Sequence, residues 1–271
     1  MRSPSAYKVF VIAASSAVIA ALLYAFLVEP FWIEISIHQI AKAHQRNTVR
    51  IAQVSDLHMQ EFGKREIAVT EHLHELKPDL IVLSGDVIDR PDVLPALEQF
   101  MASLPEAKVV AVLGNWEYWS EVDFNALKDV YETRSGVRLL INQIETIKVR
   151  DRDLRIVGLD DFTAGMPDSG LVDSQGPVTG LTILVEHSPG FFSSPTVKPS
   201  SQKVDLCLSG HTHAGQITIL GFPVWKPPGS GEFTSGWYDV GLCRLYVSRG
   251  IGTSILPARL GSRPEIAVFD L

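Results

Sequence analysis

The sequence predicts an α/β fold of two packed sheets flanked by helices, set behind one apolar N-terminal helix. Three observations carry that reading. Five short apolar runs each end in Asp, Asn or His; helix-spaced segments separate the first runs while the second half is mostly strands; and Val9 to Val28 carries no charge. Strands alternating with helices, then strands alone, suit layers built around a shared core. At 271 residues the chain can bury one sizeable domain. The expected division is an anchor over 1–30 and a single domain over 31–271.

The apolar runs span 49–54, 80–83, 108–113, 181–186 and 204–208. They deliver Asp56 and His58, then Asp86 and Asp89, then Asn115, then His187, and last His211 and His213. A glycine beside three of these ends, Gly85, Gly114 and Gly210, lets the backbone turn tightly. Open α/β sheets place their sites on loops at the carboxyl ends of strands. If the backbone stayed extended, the rings of His211 and His213 would share one face, as paired nitrogen ligands of a metal do. Leaving Asp89 aside, the seven candidate donors offer oxygen or nitrogen and none is a thiolate, which suits divalent manganese, iron or zinc.

In this order, Asp56-x-His58, Gly85-Asp86-x-x-Asp89, Gly114-Asn115, His187 and Gly210-His211-x-His213 resemble the five-part signature of the calcineurin-like metallophosphoesterases. The tail from Leu245 to Ser254, with Arg263 to Ile266, further resembles the membrane-anchored YkuE-like subgroup. The resemblance implies a four-layer α/β/β/α sandwich and hydrolysis of a phosphodiester or pyrophosphate bond. It also implies two divalent ions, the first held by Asp56, His58, Asp86 and His213. Asp86 would bridge to the second, completed by Asn115, His187 and His211, with Asp86, Asn115 and His211 as catalytic residues. Asp89 would orient a ligand without being one.

One position departs from the family pattern. Trp116 follows Gly114-Asn115 where the family usually has a proton-donating His, and indole offers no acidic proton. UDP-2,3-diacylglucosamine pyrophosphatases of the superfamily show a similar loss, so a lipid-linked substrate with a good leaving group is expected. The competing expectations are a phosphodiesterase acting on soluble nucleotides and a metal-binding protein whose catalysis has lapsed.

The uncharged run over residues 9–28 is long enough, at about 1.5 Å per residue, to cross a bilayer core. A cleaved leader is the competing reading, since Leu23-Tyr24-Ala25 could mimic a small-residue cleavage site, but the run is longer than a leader core and no clear small-x-small site follows it, which favours an uncleaved anchor. Arg2 and Lys8 precede it and Glu29 and Glu34 follow it, which puts the domain on the outer face. UDP-linked lipid precursors are cytoplasmic, so this side and that substrate pull against each other. A net charge of −7 argues against a nucleic-acid partner, and no protein partner is expected. Cys207 and Cys243 lie in apolar runs and read as two buried small residues rather than a disulfide.

Along the rest of the chain, Ile33 to Ile37 alternates as a strand expected to pair with the strand before Asp56. Glu61 to Leu76 has helical spacing and stops before Pro78, placing His72 and His74 on different faces, away from any site. Asp92 is expected to cap a helix reaching about Leu104, and 121–133 reads as a third helix. Two or three short strands occupy 137–158, and Asp160-Asp161 read as turn residues. Loops are expected over 163–177 and over 221–236, whose aromatics could either meet an apolar substrate or pack. Two closing strands, 242–248 and 265–271, complete the reading.

Overall fold

A computed structural model describes residues 4–40, 48–133, 136–174, 180–197 and 202–271. Arg2 and the end of the loop expected over 163–177 lie outside the described residues. The helices are α1 (Pro4–Leu27), α2 (Lys64–Leu76), α3 (Leu94–Ser103), α4 (Asn115–Trp119) and α5 (Phe124–Glu132). The strands of the first half are β1 (Glu34–Gln39), β2 (Arg50–Val54), β3 (Leu80–Ser84), β4 (Lys108–Val112) and β5 (Val137–Leu139). β6 (Gln143–Val149), β7 (Arg152–Gly158), β8 (Leu181–Val185) and β9 (Leu206–Ser209) follow. The chain continues through β10 (Thr218–Ile219), β11 (Phe222–Pro223), β12 (Gly236–Asp239), β13 (Arg244–Val247) and β14 (Glu265–Asp270).

Two six-stranded sheets stack face to face, ordered β1-β14-β2-β3-β4-β5 and β12-β13-β9-β8-β7-β6. The period of two in the strand sequences places their side chains. Ile81 and Leu83 of β3 join the helices' core, while Leu80 and Val82 point between the sheets; Val109 and Ala111 against Val110 and Val112 repeat the division in β4. Both faces are apolar because both are covered, as parallel strands require. The inter-sheet layer also takes Ile156, Ile183 and Leu206 from the second sheet. That sheet's outer face, with Val157, Leu184 and Leu245, is covered by loops and the short helical turns Ser169–Asp173 and Pro189–Ser193.

The helix ends follow from local chemistry. α2 starts at Lys64, where the Glu66 carboxylate accepts the Gly63 N–H, and it stops at left-handed Lys77 before Pro78. Asp92 does not cap α3. It lies in a helical turn, Pro91–Val93, and pairs with Arg90, so α3 begins at Leu94 with no side-chain cap. Asp123 caps α5 by accepting from the Asn125 N–H.

Two further expectations are corrected. β1 does not pair with β2; β14 lies between them, parallel to β1 and antiparallel to β2. The Glu265 carboxylate accepts hydrogen bonds from Ser36 and Tyr246 and faces Arg249, fixing that placement with polar contacts that hydropathy does not register. Cys207 and Cys243 form a disulfide. The loop between them brings Cys243, just before β13, beside β9, and β13 and β9 are paired neighbours. Closing that loop restricts the unfolded chain, so Cys243→Ser is expected to cost about 2–4 kcal/mol. Urea unfolding of the oxidised protein measures the loss, and detection of free thiols in the unreduced native protein would contradict the pairing.

Candidate metal centre

β2, β3, β4, β8 and β9 all present their carboxyl ends to one end of the sandwich, and each carries one or two of the sequence-predicted site residues there. Asp56, His58, Asp86, Asn115, His187, His211 and His213 are all buried. They gather in two groups. Asp56, His58 and His213 offer one set of donor atoms and Asp86, His187 and His211 another, each set within 4.8 Å of one another. His211 and His213 do not share a face, because their φ angles of 69° and 50° break the extended backbone and send one ring to each group.

Backbone strain is concentrated here. Asp56, His58 and Asp86 also have positive φ, 53°, 44° and 54°, conformations that cost non-glycine residues about 1–3 kcal/mol and persist where the surroundings impose them. Gly85, at φ 91°, admits the His187 ring: a Cβ there would lie 2.5 Å from Nδ1. A Cβ on Gly210 would run into Ser55 and the Asp56 carboxylate.

Hydrogen bonds fix which ring nitrogen faces inward. Asp89 accepts from His58 Nδ1 at 2.6 Å, the Ser84 carbonyl from His187 Nδ1 at 2.7 Å, and the Pro228 carbonyl from His211 Nε2 at 2.7 Å. The opposite nitrogens, His58 Nε2, His187 Nε2 and His211 Nδ1, keep bare lone pairs turned into the site, as outer partners do for metal-binding histidines. His58 Nε2 lies 2.9 Å from His213 Nε2, and Asp86 Oδ2 lies 3.1 Å from His187 Nε2 and 3.8 Å from His58 Nε2. Asp86 Oδ2 thus faces both groups, while its Oδ1 accepts the Trp116 N–H at 2.8 Å.

The buried carboxylates and rings perturb one another strongly, and at His187 a proton and a cation would compete for the same nitrogen. Burial opposes ionisation of Asp86, but His187 and His58 hold its pKa down at about 2. Burial alone would lower the His187 pKa, yet Asp86 and Asp56 push it well above the usual value. His211 is pushed down to about 4 by burial and by His187, and His213 falls well below its ordinary value through burial, His58 and Arg259. Asp56 Oδ2, Asn115 Oδ1, His187 Nε2 and His211 Nδ1 are buried with no hydrogen-bond partner. Each such orphan costs about 1–3 kcal/mol, so four at one site fit a bound cation rather than packing. The residues present fit two divalent ions.

Asp89 also accepts from the Gln60 amide at 2.9 Å and therefore orients His58. Asp160 and Asp161 are turn residues, as expected: they accept backbone N–H groups of Met166, Thr163 and Ala164 and the hydroxyls of Tyr118 and Ser188. His72 faces Glu75 and His74 the Ser103 carbonyl, both away from the site. The Trp116 ring stands edge-on to His58, with centroids 5.7 Å apart. Trp225 is exposed, so the aromatics of the 221–236 loop are not all packed.

Two supporting residues escaped the sequence reading. Gln53 donates to both Ser84 Oγ and the Ser209 carbonyl, each at 2.9 Å, and so joins the two sheets beneath the site. Glu117 is buried and accepts the N–H groups of Asp86, Val87, Ile88 and Gly114. Its pKa is pushed up to about 7, first by burial and then by Asp86. The spacing Gly114-x-x-Glu117 is half of a capping box, a signal present in the sequence.

The calcineurin-like phosphoesterase family model matches residues 49–215, a stretch holding all six residues of the two groups and Asn115. The chain belongs to that family and is a hydrolase of phosphoester bonds. It is similar to the metallophosphoesterase YkuE of Bacillus subtilis, 34% identical over 264 residues, covering 92% of this chain and 88% of that one. It is also similar to phosphodiesterase YaeI of Escherichia coli, 28% identical over 257 residues, covering 92% of each. A transmembrane protein with a metallophosphoesterase domain from Danio rerio is 27% identical over 253 residues, 86% of this chain and 55% of that one.

Glu117→Ala would strand four buried N–H groups around Asp86. At about 1–3 kcal/mol per orphan the variant should lose at least ~4 kcal/mol, read as a lower denaturation midpoint. An unchanged midpoint would mean that water or a shifted loop replaces the carboxylate.

Proposed function

We propose that this chain is a membrane-anchored, two-metal phosphoesterase that cleaves a phosphodiester or pyrophosphate bond of a lipid-linked substrate. The observation that carries the reading is the pair of buried donor groups with Asp86 Oδ2 facing both. Asp56, His58, Asp86 and His213 would hold one ion and Asp86, Asn115, His187 and His211 the other, with manganese, iron or zinc suiting these donors. Such ions neutralise phosphoryl oxygens and acidify an attacking water. The chain's residues do the rest. Asp89, the Ser84 carbonyl and the Pro228 carbonyl keep three rings in the tautomer that turns a lone pair inward, and the Trp116 N–H and Glu117 hold Asp86 in its strained turn.

Trp116 narrows the substrate. Its ring stands beside His58 at the position where the family pattern has His, and it donates no proton to a departing alkoxide. Without that proton, a leaving group must already be acidic, as a phosphate or an aryl oxide is. A lipid-linked phosphodiester or pyrophosphate meets the condition, and α1 supports a substrate in a membrane. α1 is apolar and almost wholly exposed, the pattern of a helix that meets lipid.

The anchor over 1–30 and the domain over 31–271 are read with the domain on the outer face. The charges flanking α1 support that side, and so does the Cys207–Cys243 disulfide, since such bonds persist in oxidising compartments. A substrate on that face would be a lipid-linked phosphoester already carried across the membrane.

Two outcomes test the reading. Purified protein with manganese should hydrolyse a bis-nitrophenyl phosphodiester, and Asp86→Asn should abolish turnover and lower bound metal measured by elemental analysis. Absence of turnover in the parent protein, with Asp86→Asn changing nothing, sinks the enzyme reading. The second outcome concerns the leaving group: nitrophenyl diesters and pyrophosphates should be cleaved readily, and alkyl phosphates hardly at all. Trp116→His should recover part of the ~10²–10⁴-fold that an acid contributes on alkyl esters, once melting shows the variant folded. Equal rates for alkyl and nitrophenyl esters in the parent would assign the proton to another residue.

A further inference from the structure

Resting on the anchored reading above, we propose that the β10–β11 hairpin and the neighbouring 254–256 loop form a docking surface. Its occupant would be the anionic lipid interface of the membrane that α1 enters, held against the mouth of the metal centre. The hairpin runs from Ile217 to Trp225 and presents Ile219, Leu220, Phe222 and Val224 to solvent. Leu220 is 94% and Phe222 76% exposed. Ile255, on the adjacent loop, is 84% exposed. Exposed apolar residues clustered in this way mark interaction sites rather than ordinary surface.

Three observations select lipid as the occupant. The first is continuity with the helix. The Arg259 N–H donates to the Ala25 carbonyl in the last turn of α1, and the Ser262 N–H donates to Glu29 just beyond it. Leu260, between them, exchanges backbone hydrogen bonds with Gln216 and Thr218 at the foot of the hairpin. Gln216 also bonds the 254–256 loop, accepting from the Ser254 N–H and donating to the Leu256 carbonyl. The exposed tips therefore belong to the segment that grips the end of the helix.

The second observation is charge. A chain of net charge −7 carries no Asp or Glu over 206–231 or over 240–264, and the basic residues partly open to solvent beside the hairpin and the helix end are Lys226 and Arg263; Arg259 is buried and Arg249 is paired with Glu34 and Glu265. An anionic headgroup layer attracts basic residues next to a spanning helix, at about 1 kcal/mol for each near the surface. The third is the kind of residue present. Trp225 beside Lys226 and Trp32 under the Arg263 guanidinium, 4.2 Å from the ring centroid, are the aromatic and basic pairs found at membrane interfaces.

The hairpin is also joined to the chemistry. Five residues after Pro223, the Pro228 carbonyl accepts from His211 Nε2, and Pro223 packs so closely on Gly215 that no side chain fits there. Seating the hairpin among headgroups would therefore bring lipid phosphates to the His211–His213 loop. The expected substrate is a phosphoester at headgroup depth, taken laterally from the bilayer.

The test uses the full chain reconstituted in vesicles of phosphatidylethanolamine with phosphatidylglycerol. Leu220→Cys is labelled with nitrobenzoxadiazole, the native cysteines being joined, and Asp151→Cys serves as the reference. Asp151 lies in the β6–β7 turn, at the end of the second sheet away from the site. The label at 220 should be quenched several-fold more by lipids carrying a spin label high on the acyl chain than the label at 151, and protected from iodide. Replacing phosphatidylglycerol with phosphatidylcholine should weaken both effects. If the protein floats with the vesicles while both labels are equally open to iodide, the docking surface is refuted and the anchored reading stands. Protection from iodide without quenching by the spin-labelled lipid would make the occupant a protein and also refute it. Loss of flotation, with hydrolysis of the soluble diester retained, removes the anchor and this surface together and leaves the phosphoesterase in place.

Discussion

The site depends on holding two sheets in one register. Asp56 and Asp86 belong to the first sheet, His187, His211 and His213 to the second, and neither set makes a metal centre alone. The bonds that lock them cross the gap directly. The His211 N–H donates to Asp56 Oδ1 at 2.9 Å, His187 Nδ1 to the Ser84 carbonyl, and Gln53 to groups on both sides. A slip of one residue in either sheet would turn the strand-end side chains to the opposite faces. The apolar filling between the sheets supplies cohesion, and these few polar bonds supply alignment.

Within the first sheet the carboxylates are brought side by side by parallel pairing. Val54 lies opposite Leu83, the Asp56 N–H donates to the Gly85 carbonyl, and the His58 N–H donates to the Asp86 carbonyl. Both chains then turn through left-handed conformations. The strain is stored where the surrounding bonds over-determine it, with Glu117 gathering the N–H groups that the second turn leaves without strand partners. Stability is thus spent at the place where geometry matters most to the chemistry, a distribution common at functional sites.

Much of this was legible in the residues. Apolar runs ending in Asp, Asn and His marked the five strand ends, because buried parallel strands need continuous hydrophobic stretches and the polar ends cannot be core. The contacts that depend on long-range pairing were not legible. Nothing local tells Ile33–Ile37 that its neighbour is the strand starting at Glu265, and two cysteines in apolar strands look alike whether or not they meet. Gln53 reads as an ordinary polar position in a strand until the second sheet is placed above it. The divergence of His211 and His213 likewise required φ values that the alternation of a strand does not anticipate.

The insertion of β14 between β1 and β2 also orders events during synthesis. Gln39 and Asp270, hydrogen-bonded partners in the finished sheet, are 231 residues apart, and so distant a pairing forms late. Until the ribosome has delivered residues 265–270, β1 has no neighbour and β2 lacks the strand on one side. On the anchored reading, the nascent chain is tethered beside the bilayer throughout that interval, with an open sheet edge exposed to other chains. The open edges of β1 and β2 are thus a hazard of assembly that the finished fold does not show, closed only when residues 265–270 take their place between them.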